Sequence, residues 1–169
     1  MKKIIVIMLI FIVLVISFWW VFHYISRDGE FTKWSHATVG IEHFEVGNAI
    51  YLDYHFRWEG IGSPTLEKVE FIKRDGTIQA KDDDEFRIHP FIATSERIGA
   101  VDEETVIKRG ILNDLVEVKG FQVVEDFYLV LRVEMANTDN DISSVRITYK
   151  KFGVTQFQNI PFDDGIIKD

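Results

Sequence analysis

Residues 4–22 form one apolar run, interrupted only by Ser17. As a helix such a run spans about 28 Å at ~1.5 Å per residue, close to the ~30 Å hydrocarbon thickness of a bilayer. Lys2 and Lys3 precede it, and Trp19, Trp20 and Tyr24 lie toward its far end. Amphipathic rings favour headgroup depth. The pattern predicts a transmembrane signal-anchor helix over 1–25, with residues 4–22 in the bilayer. A cleaved leader fits less well. The apolar stretch exceeds the usual 7–15 residues, and its end is bulky, with no Ala before Ala37. Lys2 and Lys3 favour an N-terminus inside and a domain outside, although Arg27 and Lys33 partly balance them.

Beyond the run the period changes to two. Ile50, Leu52, Tyr54, Phe56 and Trp58 alternate with Tyr51, Asp53, His55, Arg57 and Glu59. Phe127, Leu129, Leu131, Val133 and Met135 alternate with Tyr128, Val130, Arg132 and Glu134. Alternation of this kind marks strands with one buried face. Weaker strands are predicted over 38–45, 67–73, 86–92, 144–152 and 154–160. Asp75-Gly76 predicts a hairpin turn with both central residues at positive φ. Gly153 permits a reversal between the last two strands. Pro161 cannot donate to a ladder and should end the final strand, leaving it at a sheet edge. One short helix is expected after Asp102. Asp102 caps it, Glu103 and Glu104 complement its dipole, Lys108 and Arg109 complement its other end, and Gly110 stops it. It should pack across an open end of the sheets.

These elements predict a mostly β protein: the membrane helix, a polar stem over 26–36, and one domain over 37–169. The domain is expected to be an immunoglobulin-like antiparallel β-sandwich with one short helix, or alternatively a small β-barrel. The fold does not name a function.

Charge narrows the partners. Lys2 and Lys3 are the only ionised side chains before Arg27, so 27 acids face 17 bases in the rest of the chain, a formal charge of −10. Such a domain repels nucleic acid at long range. With no Cys in the chain, disulfides, thiolate zinc sites, thiol nucleophiles and lipid-modified cysteine are excluded.

Candidate chemistry is sparse. Asp53 and His55 share a strand face at a spacing suited to two metal ligands, but a solvated polar face explains them as well. Asn137, Asp139 and Asp141 alternate oxygen ligands as calcium loops do. However, Ile142 and Thr148 stand where an EF-hand needs Gly and Glu, and such residues also dominate ordinary turns. The run 82–85 reads as a solvated acidic loop. Adjacent helical residues do not face each other, so capping explains Glu103 and Glu104 better than an acid pair. Ser63 sits in no nucleophile elbow. Arg132, Arg146, Lys150 and Lys151 form the one cationic cluster, a candidate binding face for envelope polyanions or lipid phosphates. Charge balance against Glu134, Asp139 and Asp141 is the plainer explanation.

The stretch from 60–71 (Gly-Ile-Gly-Ser-Pro-Thr-Leu-Glu-Lys-Val-Glu-Phe) to 147–162 (Ile-Thr-Tyr-Lys-Lys-Phe-Gly-Val-Thr-Gln-Phe-Gln-Asn-Ile-Pro-Phe) resembles uncharacterised short single-pass envelope proteins of spore-forming Gram-positive bacteria, a likeness of layout over nearly the whole chain. The resemblance implies an outward-facing domain on the cytoplasmic membrane and carries no functional motif. The expected function is a membrane-tethered, non-enzymatic domain that binds a protein or cell-envelope component, without a cofactor. The alternatives are an envelope-modifying enzyme and an accessory subunit of a membrane complex.

Overall fold

The computed structural model describes residues 2–40, 48–80, 86–94, 97–135, 141–162 and 165–168. The apolar run forms helix α1 (Lys2–Arg27), long and apolar enough to cross a membrane and exposed along residues 3–24. The Asp28 amide still donates to the Tyr24 carbonyl at 3.0 Å, and Gly29 then breaks the helix at φ 100°. Strand β1 (Glu30–His36) begins at once.

The stem expected over 26–36 is therefore replaced by structure. Ser26 is buried, and β1 pairs antiparallel with β3 (Ala49–Glu59) from Glu30↔Glu59 to His36↔Tyr54. The polar composition of 26–36 concealed one anchor, Phe31, whose ring packs on Trp58, Phe127 and Tyr149 at 4.9–5.9 Å between centroids.

The remaining elements are β2 (Val39–Gly40), β4 (Thr65–Lys73), β5 (Phe86–Ala93), β6 (Ala100–Asp102), α2 (Glu103–Lys108), β7 (Leu115–Glu117), β8 (Asp126–Met135), β9 (Ile142–Lys151), β10 (Val154–Pro161) and β11 (Ile167–Lys168). One sheet has the order β1-β3-β8-β5-β7, with β6 also on β3. The second is β10-β9-β4, and β11 pairs parallel with β2. The two larger sheets are antiparallel and share one core; neither closes into a barrel. Of the strand expected over 38–45, only Val39–Gly40 is strand among the described residues; 41–47 lie outside them.

Alternation places the core. Leu52, Phe56, Leu129, Leu131 and Val133 are fully buried and Trp58 nearly so, facing Leu66, Phe71, Val145 and Ile147 of the second sheet. The opposite faces of β3 and β8 depart from the expected solvated pattern. Tyr51 and Val130 are buried beneath α2 with Ala93 and Val106, forming a second, smaller core. The short helix thus lies on the outer face of the larger sheet, not across an open end. Its cap is as expected: Asp102 accepts from the Thr105 amide at 2.6 Å, and Gly110 follows at φ 70°.

The turns exchange roles. At the β4 turn only Gly76 has positive φ; the Gly76 amide bonds Lys73 O and the Lys73 amide bonds Thr77 O. The two-residue reversal with both φ positive is Phe152-Gly153, at 49° and 83° between β9 and β10.

Candidate functional site

The metal-ligand candidates separate. Asp53 is not on a solvated face. Its Oδ2 accepts the amides of Ile98 (2.6 Å) and Gly99 (2.7 Å), and Arg97 lies 3.6 Å from Oδ1. It clamps the 97–99 loop with charge-assisted bonds. His55 turns to Asp126 instead, with Nε2 3.2 Å from Oδ2. Asp141 is buried as well; its Oδ1 accepts the amides of Ile142 and Ile166, and Arg74 reaches Oδ2. It ties the end of the chain to the start of β9. Asn137, Asp139 and the run 82–85 lie outside the described residues. Among the described residues no three acidic or His side chains converge as metal ligands.

The cationic cluster dissolves. Arg132 lies on β8, between β3 and β5, in the sheet that does not contain β9. Its guanidinium donates to Glu103 at 2.8 Å and to Glu134. Burial lowers the Arg132 pKa, but these two carboxylates outweigh that and raise it overall. Lys151 shares the inward face of Tyr149. Its ammonium donates to the Asp28 carbonyl and lies 5.1 Å from the Trp58 ring centre. Burial depresses its pKa, and nearby Asp28 partly opposes this. Only Arg146 and Lys150 share the outer face, and Arg146 already bonds Asn159 at 2.9 Å and lies 5.1 Å from the Phe157 ring centre. The four residues do not make one binding face. On α1, Trp19, Trp20 and Tyr24 are exposed toward its end, and Lys2 and Lys3 begin it.

A different constellation appears on the outer face of β1, β3 and β8. Lys33 pairs with Phe56 and Ser35 with His55, leaving Trp34 as the extra residue of a β-bulge. A bulge re-aims a side chain and interrupts a ladder. Trp34 remains 56 % exposed, and the Arg57 guanidinium stacks on it at 3.7 Å from the ring centre. His55 meets Trp34 edge-on at 6.2 Å and stacks on Tyr128, its cross-strand partner, at 4.7 Å. Asp126 joins the His55 and Arg57 side chains, with Arg57 3.7 Å from the oxygen that His55 contacts. Three strands therefore gather an exposed indole, an imidazole stacked on a partly buried phenol, a guanidinium and a carboxylate on one outer surface. Rigid aromatics supply contact area at low entropic cost, and a few fixed polar groups supply orientation.

Sequence reasoning placed His55, Arg57 and Tyr128 on outward positions but missed Trp34. The signal was a large aromatic in a polar stretch; its position depends on the bulge, which no alternation reports. A second concavity, a cleft of about 830 Å³, runs between α2 and residues 38–40 and 48–50. Two of its carboxylates already have partners: Asp102 caps α2 and Glu103 binds Arg132.

No protein-family model, curated protein or solved structure gives a significant match to this chain.

Proposed function

We propose that this chain is a single-pass, signal-anchored protein whose immunoglobulin-like domain stands outside the cell membrane and binds a glycan of the envelope, without catalysing a reaction. The apolar length of α1 and the two lysines before it support the anchor and its orientation. The two-sheet layout supports the immunoglobulin-like reading of the domain.

The observation that carries the binding function is the exposed Trp34, set on the sheet by a bulge and backed by Arg57. A pyranose ring has one face of C–H bonds and a rim of hydroxyls. The C–H face packs on an indole or phenol ring, and the hydroxyls pair with guanidinium, imidazole and carboxylate groups. The exposed Trp34 meets the first requirement, with the partly buried Tyr128 supporting His55 beside it; Arg57, His55 and Asp126 meet the second. A neutral or weakly charged sugar chain also suits a domain of formal charge −10, which repels polyanions. Asp53 is buried and bonded to the 97–99 loop, so the Asp53–His55 pair does not form; His55 contacts Asp126 instead.

The test is co-sedimentation of the detergent-solubilised full chain with insoluble wall glycan. Wild type should pellet, and Trp34→Ala and Tyr128→Ala should each remain in the supernatant. Arg146→Glu with Lys150→Glu should pellet like wild type. Loss of binding only in the last pair would return the function to the β9–β10 face.

A further inference from the structure

The strand registers bring three loops to the end of the domain where α1 arrives. Glu30 pairs with Glu59, Arg57 with Asp126, Thr65 with Lys150 and Lys151 with Val154. The reversals 60–64 and 152–153 and the segment 122–125 therefore lie at the same end of the domain as Asp28. Ile61, Lys151 and Gln156 bond the helix end, and 122–125 bonds the 58–64 stretch. The Asp28 carboxylate accepts the Ile61 amide at 3.0 Å, and Lys151 donates to the Asp28 carbonyl. Gln156 donates to the Ser26 carbonyl at 2.7 Å. The Trp58 amide reaches Glu125 O, and the Val123 amide reaches Pro64 O. The joint leaves little room: a Cβ on Gly60 would stand 2.9 Å from the Trp58 ring, and one on Gly62 would stand 2.7 Å from Phe152. The helix thus enters the domain through a packed junction.

At this end, large apolar side chains face solvent. Ile61 is 52 %, Phe152 50 % and Val124 80 % exposed. Phe152 occupies the left-handed region at φ 49°, where a bulky side chain is disfavoured and Asn or Gly is the usual choice. Asp28 follows Tyr24 by four residues, about 6 Å along a helix axis. Trp19, Trp20 and Tyr24 mark headgroup depth. The loop bonded to Asp28 consequently falls at the same level.

We propose that Ile61, Phe152 and Val124 form a second contact with the bilayer, so that the domain is seated on the lipid surface in one orientation. The claim rests on the reading of α1 as a membrane span and is independent of glycan binding. The contact is apolar in kind: Asp28, Glu59 and Glu125 lie at this end together with Arg27 and Lys150, so the local charge is nearly balanced and anionic lipid does not strengthen it.

The absence of cysteine makes single-site labelling of the full chain direct. Nitroxides are attached at Cys replacing Val13, Val124 or Ile107 and read in phosphatidylcholine nanodiscs by collision with oxygen and with a water-soluble nickel chelate. Val13 reports the span; Ile107, exposed on α2, reports water. The Val124 label should show several-fold less nickel collision than the Ile107 label, and the ratio should hold when anionic lipid is added. Ile61→Ser with Phe152→Asn should restore nickel access at Val124, with circular dichroism unchanged. Equal access at Val124 and Ile107, with Val13 protected, would overturn the seat alone. A Val13 label open to nickel would overturn the span beneath it.

Discussion

Single residues here have jobs that their type alone conceals. Tyr54 is fully buried between His36 and Phe162, and among the described residues its hydroxyl has no hydrogen-bond partner. Burial pushes its pKa far up, and the nearby charges of Asp141 and Asp53 push it further. The folded state therefore keeps the phenol protonated while the unfolded chain ionises near pH ~10. The associated stability is complete below pH ~10 and is lost as pH rises above it. Tyr54→Phe removes the hydroxyl that burial leaves unpaired. It should be neutral or stabilising by about 1 kcal/mol near pH 7. In denaturant titrations from pH 8 to 11 it should also lose less stability than wild type. A variant less stable than wild type at pH 7 would indicate a bond to this hydroxyl. Asp53 and Lys151 teach a related lesson. The parity of Lys151, on the face of Val145, Ile147 and Tyr149, was readable in the sequence; grouping it with other cations hid that parity. Asp53 has outward parity too, yet the 97–99 loop covers it, and loop placement leaves no periodic trace.

Elements were legible where many positions voted together. Five alternating apolar residues in β3 and Phe127, Leu129, Leu131 and Val133 in β8 share a core face, because a slip of one residue would expose them all. Phe56→Ala or Leu131→Ala should each destabilise the domain by about 2–5 kcal/mol, measured by urea unfolding. A cost below 1 kcal/mol would deny that these faces make the core. β1 escaped notice because one residue, Phe31, supplies its burial. Its second support comes from the other sheet's edge: Gln158 accepts the Phe31 amide at 2.7 Å and donates to the Phe31 carbonyl at 2.8 Å. This side chain imitates a neighbouring strand and closes the gap between β1 and β10. The face carrying Gln156 and Gln158 is thus the inward one, while Phe157 faces solvent, the reverse of what polarity suggests. Gln158→Ala should accelerate amide exchange at Phe31 and cost about 1–3 kcal/mol, since it strands a backbone pair. Unchanged exchange at Phe31 would remove this bridge from the account. The edge position of β10 was legible, because Pro161 ends its ladder opposite Ser144.

At the scale of the molecule, the helix and the larger sheet are directly continuous: α1 runs to Arg27, Gly29 turns the chain, and β1 joins the sheet within three residues. The long apolar helix was plain in the sequence because an unbroken apolar run needs no partner to be read. The candidate site was not, because it joins a bulge on β1 to side chains 21 to 94 positions away, and only register brings them together. The account's central claim is that this outer surface binds glycan through Trp34. The most direct measurement is an NMR titration of the full chain with ¹⁵N-labelled tryptophan, adding soluble wall-glycan fragments and following the indole N–H signals. Trp58 is an internal reference, buried with its Nε1 donating to the Gly62 carbonyl at 2.7 Å. The account predicts a saturable shift of the Trp34 signal with Trp58, Trp19 and Trp20 unmoved, and loss of saturation in Tyr128→Ala. A Trp34 signal that stays fixed while the fragments bind, or that never responds at any glycan concentration, would contradict it.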